Sequence, residues 1–170
     1  LFNFPYYREH TTPTIGPFNE PPFHVIPNLK DPAFVARQAH SYFLTAARKD
    51  PVLPGLPLPA LLKRKSPQTF SLEMAPLPDH HRDGLLRIRS DEAIADRKIE
   101  VRLNDLLLTQ TPFIERPLPH PYDAYLGTAE DTQCFDCPVS AALVGTNCIE
   151  VTLKVGIRVK LIYLEITLPV

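Results

Sequence analysis

Residues 145–170, G-T-N-C-I-E-V-T-L-K-V-G-I-R-V-K-L-I-Y-L-E-I-T-L-P-V, constrain the fold more than any other stretch. Ile149, Val151, Leu153 and Val155 alternate with Glu150, Thr152 and Lys154, the period of two of a strand with one face buried. Gly156 interrupts, and a second apolar run begins at Val159. In it Ile162, Leu164, Ile166 and Leu168 share one face, with Val159, Leu161 and Tyr163 on the other. This strand is therefore expected to be buried on both sides over part of its length. Two long strands of this kind need partners, and the pattern predicts the closing pair of a β-sandwich.

Earlier segments supply the partners. Residues 69–75 alternate through Phe70, Leu72 and Met74 and end at Pro76. In residues 85–89, Leu86 and Ile88 share one face and Arg87 and Arg89 the other. Residues 98–103 put Ile99, Val101 and Leu103 inward, and Lys98, Glu100 and Arg102 outward. Asn104-Asp105 turns the chain, 106–108 leads away, 135–139 forms another strand, and 145–147 turns into the closing pair. From about residue 69 onward the chain reads as mainly β, an antiparallel sandwich.

The N-terminal part differs. Proline makes up 20 of 170 residues, more than twice the usual ~5%, and it cannot donate to a ladder or helix interior. Residues 1–30 are aromatic and proline-rich, with Phe2, Phe4, Phe18 and Phe23 expected to cap or line a core. The opening run Leu1-Phe2-Asn3-Phe4-Pro5-Tyr6-Tyr7 has the character of a cut edge, which suggests a fragment or a processed form. Residues 31–49 predict a helix: Asp31 is the N-cap, Pro32 takes the first helical position, and Val35, Ala39, Tyr42, Phe43 and Ala46 form the apolar stripe. Asp50-Pro51 stops it, and 51–59 (P-V-L-P-G-L-P-L-P) reads as a polyproline-like linker. The expected division is therefore a helical and proline-rich appendage, 1–68, and a sandwich domain, 69–170.

Net charge is −1 with acids and bases interspersed, so no nucleic-acid or membrane partner is expected from charge. Lys63-Arg64-Lys65 is the only basic run and reads as a solvated loop. Cys134, Cys137 and Cys148 make an odd count. Cys134-x-x-Cys137 falls short of the roughly four ligands of a zinc site, and an offset of three on a strand sets the two on opposite faces. A disulfide from Cys148 to either is compatible with the sequence, which leaves the pairing open. His80-His81 lies in a polar loop that reads as solvent-facing. No metal and no cofactor is expected: the glycine, histidine and serine motifs of nucleotide, zinc-protease and hydrolase sites are missing.

The runs I-E-V-R-L-N-D (99–105) and F-D-C-P-V-S-A-A-L-V-G-T-N-C-I-E-V (135–151) carry a family resemblance. They resemble the galactose-binding-like jelly-roll domains attached to many glycoside hydrolases. In those domains a strand ends in Asn-Gly, an F-x-(I/V)-P segment follows, and a spacer ends G-x-N before a strand I-x-V. Asp105 stands where the pattern has Gly, a change that a turn tolerates. The resemblance spans about residues 70–168. It implies a jelly-roll sandwich, an accessory or lectin-like role toward carbohydrate, and an extracellular location. Residues 1–9 and the helix after them look like the end of a (β/α)8 barrel, the usual catalytic neighbour of such a domain. Asn19-Glu20-Pro21 is similar to the acid/base triplet of one clan of those enzymes, although Ile15-Gly16-Pro17-Phe18 before it is a poor strand.

The loop holding Arg116, His120, Tyr122, Asp123 and Tyr125 is the expected recognition site. Sugar recognition needs an aromatic face against the ring and polar partners for hydroxyls, and this loop has both; the alternative is that the tyrosines pack the loop onto the sandwich. The first expectation is a non-catalytic carbohydrate-binding or accessory module. A second is a glycosidase using acids such as Glu20 or Asp123, since that chemistry needs two carboxyl groups about the scissile bond. A third is a structural module that buttresses a partner domain, or associates with itself, through the aromatics of residues 1–23.

Overall fold

The structure is a computed structural model, and it describes residues 39–74, 82–113 and 127–169. The expectations for residues 1–38, the His80-His81 loop and the loop of 114–126 lie outside the described residues. Within them the chain is mainly β: ten strands form two antiparallel sheets. The strands are β1 (Ala39–Thr45), β2 (Ala60–Lys63), β3 (Gln68–Met74), β4 (Gly84–Ser90), β5 (Lys98–Leu103), β6 (Leu106–Leu107), β7 (Gln110–Thr111), β8 (Thr132–Cys137), β9 (Gly145–Val155) and β10 (Arg158–Pro169). The first sheet runs β1-β10-β4-β8-β7, with β2 also beside β10; the second runs β3-β9-β5-β6.

The two sheets share one core. Leu62, Leu86, Ile88, Phe135, Leu161 and Leu164 from the first meet Leu103, Ile149, Val151 and Leu153 from the second. Fully burying each such side chain contributes roughly 1.5–3 kcal/mol, so the one-sided alternation read from the sequence is what drives the sheets together. The outward face of the second sheet is polar, with Glu100 bridging Lys154 and Arg102. The result is the expected β-sandwich.

Strand β10 is the spine, buried along 161–169. Its register shifts between Leu161 and Tyr163, and this bulge changes the expected faces. Val159 and Leu161 lie in the core with Leu164, Ile166 and Leu168, while Tyr163, Glu165 and Thr167 fall on the opposite face. That face is buried too, as expected. Across it one row runs Phe43, Glu165, Arg87, Cys134 and Thr111 by direct strand pairing. Strands β4 and β10 are so close at Gly84 that a Cβ there would lie 1.9 Å from the Thr167 carbonyl oxygen.

The helix expected over 31–49 needs correction in its described half. Residues Ala39–Thr45 are strand β1, paired with β10 from Ala39↔Pro169 to Thr45↔Tyr163. Tyr42 is buried in the core and Leu44 packs against it. These residues satisfy a period of two as well as the helical stripe, and the long edge of β10 supplies ladder partners that a helix would leave unmet. The chain then turns, with Asp50 Oδ2 accepting from the Ala47 N–H at 2.8 Å. Strand β2 pairs with the other half of the same edge, Arg158↔Lys63 to Leu161↔Ala60. The sheet thus draws on residues on both sides of the boundary expected at 68/69.

Candidate functional site

At one end of the sandwich two asparagines, 43 residues apart in sequence, hold three segments together. Asn104 and Asp105 have φ of 47° and 71°, the left-handed pair of a tight hairpin turn between β5 and β6. Asn104 Nδ2 donates to the Ala141 carbonyl and to Asn147 Oδ1, both at 2.8 Å. Asn104 Oδ1 accepts from the Cys148 N–H, and the Asn104 N–H donates to the Cys148 carbonyl, again at 2.8 Å. Asn147 is fully buried. Its Oδ1 accepts from the Leu143 N–H, and its Nδ2 donates to the carbonyls of Leu143 and Gly145. The 3-10 turn Val139–Ala141 after β8 is thereby tied to the start of β9, and the Val139 N–H finds Asp83 Oδ1 at 2.8 Å. The side chains that the sequence marks as turn formers close a buried polar network whose visible bonds are internal.

The other end gathers the β4–β5 loop, the β9–β10 hairpin tip, the β2–β3 turn and residues 127–131. Asp131 organises it. Its Oδ2 accepts from Arg89 Nε at 3.0 Å and from an Arg48 guanidinium nitrogen at 2.9 Å. Its Oδ1 accepts from the Thr128 N–H and the Thr132 hydroxyl. Burial by itself pushes the Asp131 carboxyl up; the Thr128 N–H, the Thr132 hydroxyl and Arg89 outweigh it and hold the group below the ordinary 3.8. A carboxylate with a depressed folded value adds stability above its unfolded value and loses it as pH falls through the folded one. Asp131→Asn is therefore expected to lower stability by about 2 kcal/mol at pH 7, as a charge-assisted network is lost. Below pH 3.8 the gap to wild type should shrink in urea unfolding; a pH-independent gap would count against the charge.

Arg116, His120, Tyr122, Asp123 and Tyr125 lie outside the described residues. The flanks of their loop are described. Strand β7 approaches the start of β8, pairing Thr111 with Cys134, and the chain re-enters at Gly127 beside Asp131. Both flanks therefore sit at the Asp131 end. Gln133 fixes the neighbouring β4–β5 loop, with Nε2 donating to the carbonyls of Ile94 at 2.7 Å and Arg97 at 2.8 Å.

A groove of about 460 Å³ opens between residues 51–59 and strands β2 and β3. Val52, Leu53 and Leu56 give it an exposed apolar wall. No disulfide joins the three cysteines, and Cys134 and Cys137 are buried while Cys148 is exposed. Burial, reinforced by the Asp83 carboxylate, pushes the Cys137 thiol up to about 12, so it stays protonated and is no nucleophile at neutral pH. A thiol reagent should accordingly modify one cysteine per native chain, Cys148, and all three after denaturation; rapid native labelling of three would contradict the burial. Among the described residues no group of three or more His, Cys, Asp or Glu is placed to hold a metal.

The sequence misses the Asp131 hub and the buried Arg87–Glu165 pair, because each depends on partners brought together from distant strands. The signal that was present is an Arg-x-Arg pair, Arg87 and Arg89, on a strand flanked by apolar residues. Compared with known proteins, the chain matches no protein-family model, and no curated protein matches it.

Proposed function

We propose that the sandwich is a galactose-binding-like jelly roll and that it serves as a non-catalytic, carbohydrate-associated module, a lectin-like binder or the accessory domain of a glycoside hydrolase. The observation that carries the reading is the asparagine clamp. Asn104 and Asn147 are the two asparagines of the resembling signature, and they bond to each other across the turn and the spacer. The signature has a physical reason in this chain, since each asparagine completes the other's hydrogen bonding. Two antiparallel sheets over one core agree with it.

Such a signature describes a scaffold, and recognition belongs to loops. The loop of Arg116, His120, Tyr122, Asp123 and Tyr125 is our choice for the sugar site. Its described flanks sit at a sandwich end, where rigid strands hold a loop by both feet. A glycan array probed with the full chain tests the function. The reading expects binding to at least one glycan class and no hydrolysis of aryl-glycosides. Absence of binding at millimolar glycan overturns it, as does turnover that disappears in Glu20→Gln or Asp123→Asn.

A further inference from the structure

The end that carries Asp131 also gathers basic side chains that the sequence scatters. Strand pairing sets Arg158 opposite Lys63 and Lys98 opposite Val155. Arg64 bridges to Leu153, and the Lys65 N–H donates to the Leu153 carbonyl at 2.9 Å. The run Lys63-Arg64-Lys65 is thus held against the base of the β9–β10 hairpin. Arg97 is drawn over the hairpin tip: a Cβ on Gly156, whose φ is +119°, would lie 3.0 Å from Arg97 Cδ. Nearby cations have partners: Lys154 pairs with Glu100, Lys160 with Asp91, and Arg97 at 3.5 Å with Asp96. Lys63, Arg64, Lys65, Lys98 and Arg158 make no ion pair among the described residues.

At this end lies a cleft of about 400 Å³, lined among the described residues by Glu92, Arg97, Ile157 and Arg158, so that of the unpaired cations Arg158 faces it. Ile157 is 88% exposed at its rim. The β4–β5 loop that contributes Glu92 and Arg97 is pinned by Gln133, so this wall is preorganised.

We propose that this cleft binds acidic glycans, with a uronate carboxylate taken by Arg97 and Arg158. The inference rests on the carbohydrate-module reading and names its ligand class. Guanidinium forks match a planar carboxylate. Glu92 accepts from sugar hydroxyls, and Ile157 offers an apolar surface to the C–H face of a ring. The single carboxylate in the lining favours a ligand with one charge and several hydroxyls per unit over a densely charged phosphate polymer. The concave shape, with one apolar side chain at the rim, favours a chain laid in a cleft over a flat bilayer.

The test titrates the full chain with polygalacturonate, with the same polymer fully methyl-esterified, and with a neutral galactan, alongside Arg158→Glu and Ile157→Ala. Polygalacturonate should bind at least about tenfold more tightly than its ester, the worth of one charge-assisted contact. Arg158→Glu should lose about that factor with an unchanged melting temperature, and added salt should weaken the wild type. If Arg158→Glu melts early, Arg158→Gln takes its place, and the acid-to-ester ratio in the wild type stands independently of either variant. Equal affinity for acid and ester, or binding of the galactan alone, overturns the inference and leaves the module reading intact. No binding of any polymer overturns both. Binding to vesicles containing phosphatidylglycerol that Ile157→Ala abolishes, without polygalacturonate binding, makes this a membrane-facing tip and overturns the inference.

Discussion

Glu165→Leu is expected to lower the unfolding free energy by about 3–5 kcal/mol, the usual cost of stranding one member of a buried ion pair. Glu165 and Arg87 are direct partners across β10 and β4, with Arg87 Nη2 at 3.4 Å from Glu165 Oε2. Both side chains are essentially inaccessible to water, at 0% and 1% exposure. The Arg87 guanidinium makes no hydrogen bond among the described residues, so the Glu165 carboxylate is its nearest compensating charge. Once that charge is removed, a buried cation sits between sheet strands with no counterion among the described residues. The double variant Arg87→Met/Glu165→Leu should recover most of the loss, because both desolvation costs vanish together. Urea unfolding of the four proteins in a double-mutant cycle reads the coupling directly. A single-variant cost below about 1 kcal/mol would mean that water reaches the pair, as it does for exposed bridges.

Asn147→Ala has the second large effect. Asn147 is fully buried, and its amide group serves two acceptors and two donors. Truncation leaves the Leu143 N–H and the Asn104 amide without this partner, at an expected cost of about 2–4 kcal/mol. Asn104→Ala should cost less, since Asn104 is only half-buried. The two together should cost less than their sum, because one bond is shared. Asn147→Asp separates shape from chemistry: it keeps the acceptor and loses the donor to Leu143 and Gly145. If all four variants melt with the wild type, the clamp is ornamental and the signature has no physical basis in this chain.

How much of this was legible depended on how local each feature is. Strand β9 was readable because Ile149, Val151 and Leu153 share one buried face, and a single residue of slip would expose all three. Strand β5 was readable for the same reason. In β10 the alternation was clear, but the bulge after Leu161 was not, since both of its faces are apolar enough to tolerate either phase. Residues 39–45 read as helix because Ala39, Tyr42, Phe43 and Ala46 fit a helical stripe, and only the edge of β10, more than 115 positions away, decides for a strand. Asn104 and Asn147 were each recognised as turn formers, whereas their mutual bond spans 43 residues and has no local sign. The basic run Lys63-Arg64-Lys65 is exposed, as a solvated stretch should be, whereas the pairing that sets Arg158 opposite Lys63 has no local sign.

The proposed function has this sandwich meet carbohydrate through Tyr122 and Tyr125, at the end where the described flanks of their loop lie. Native gels cast with and without polysaccharide test it most directly, comparing the intact chain with Tyr122→Ala/Tyr125→Ala. The account predicts that a neutral polysaccharide retards the wild type, and that the double variant runs in it as in the blank gel while melting at the same temperature. Identical migration of the wild type in blank and polysaccharide gels, neutral and acidic alike, would contradict it.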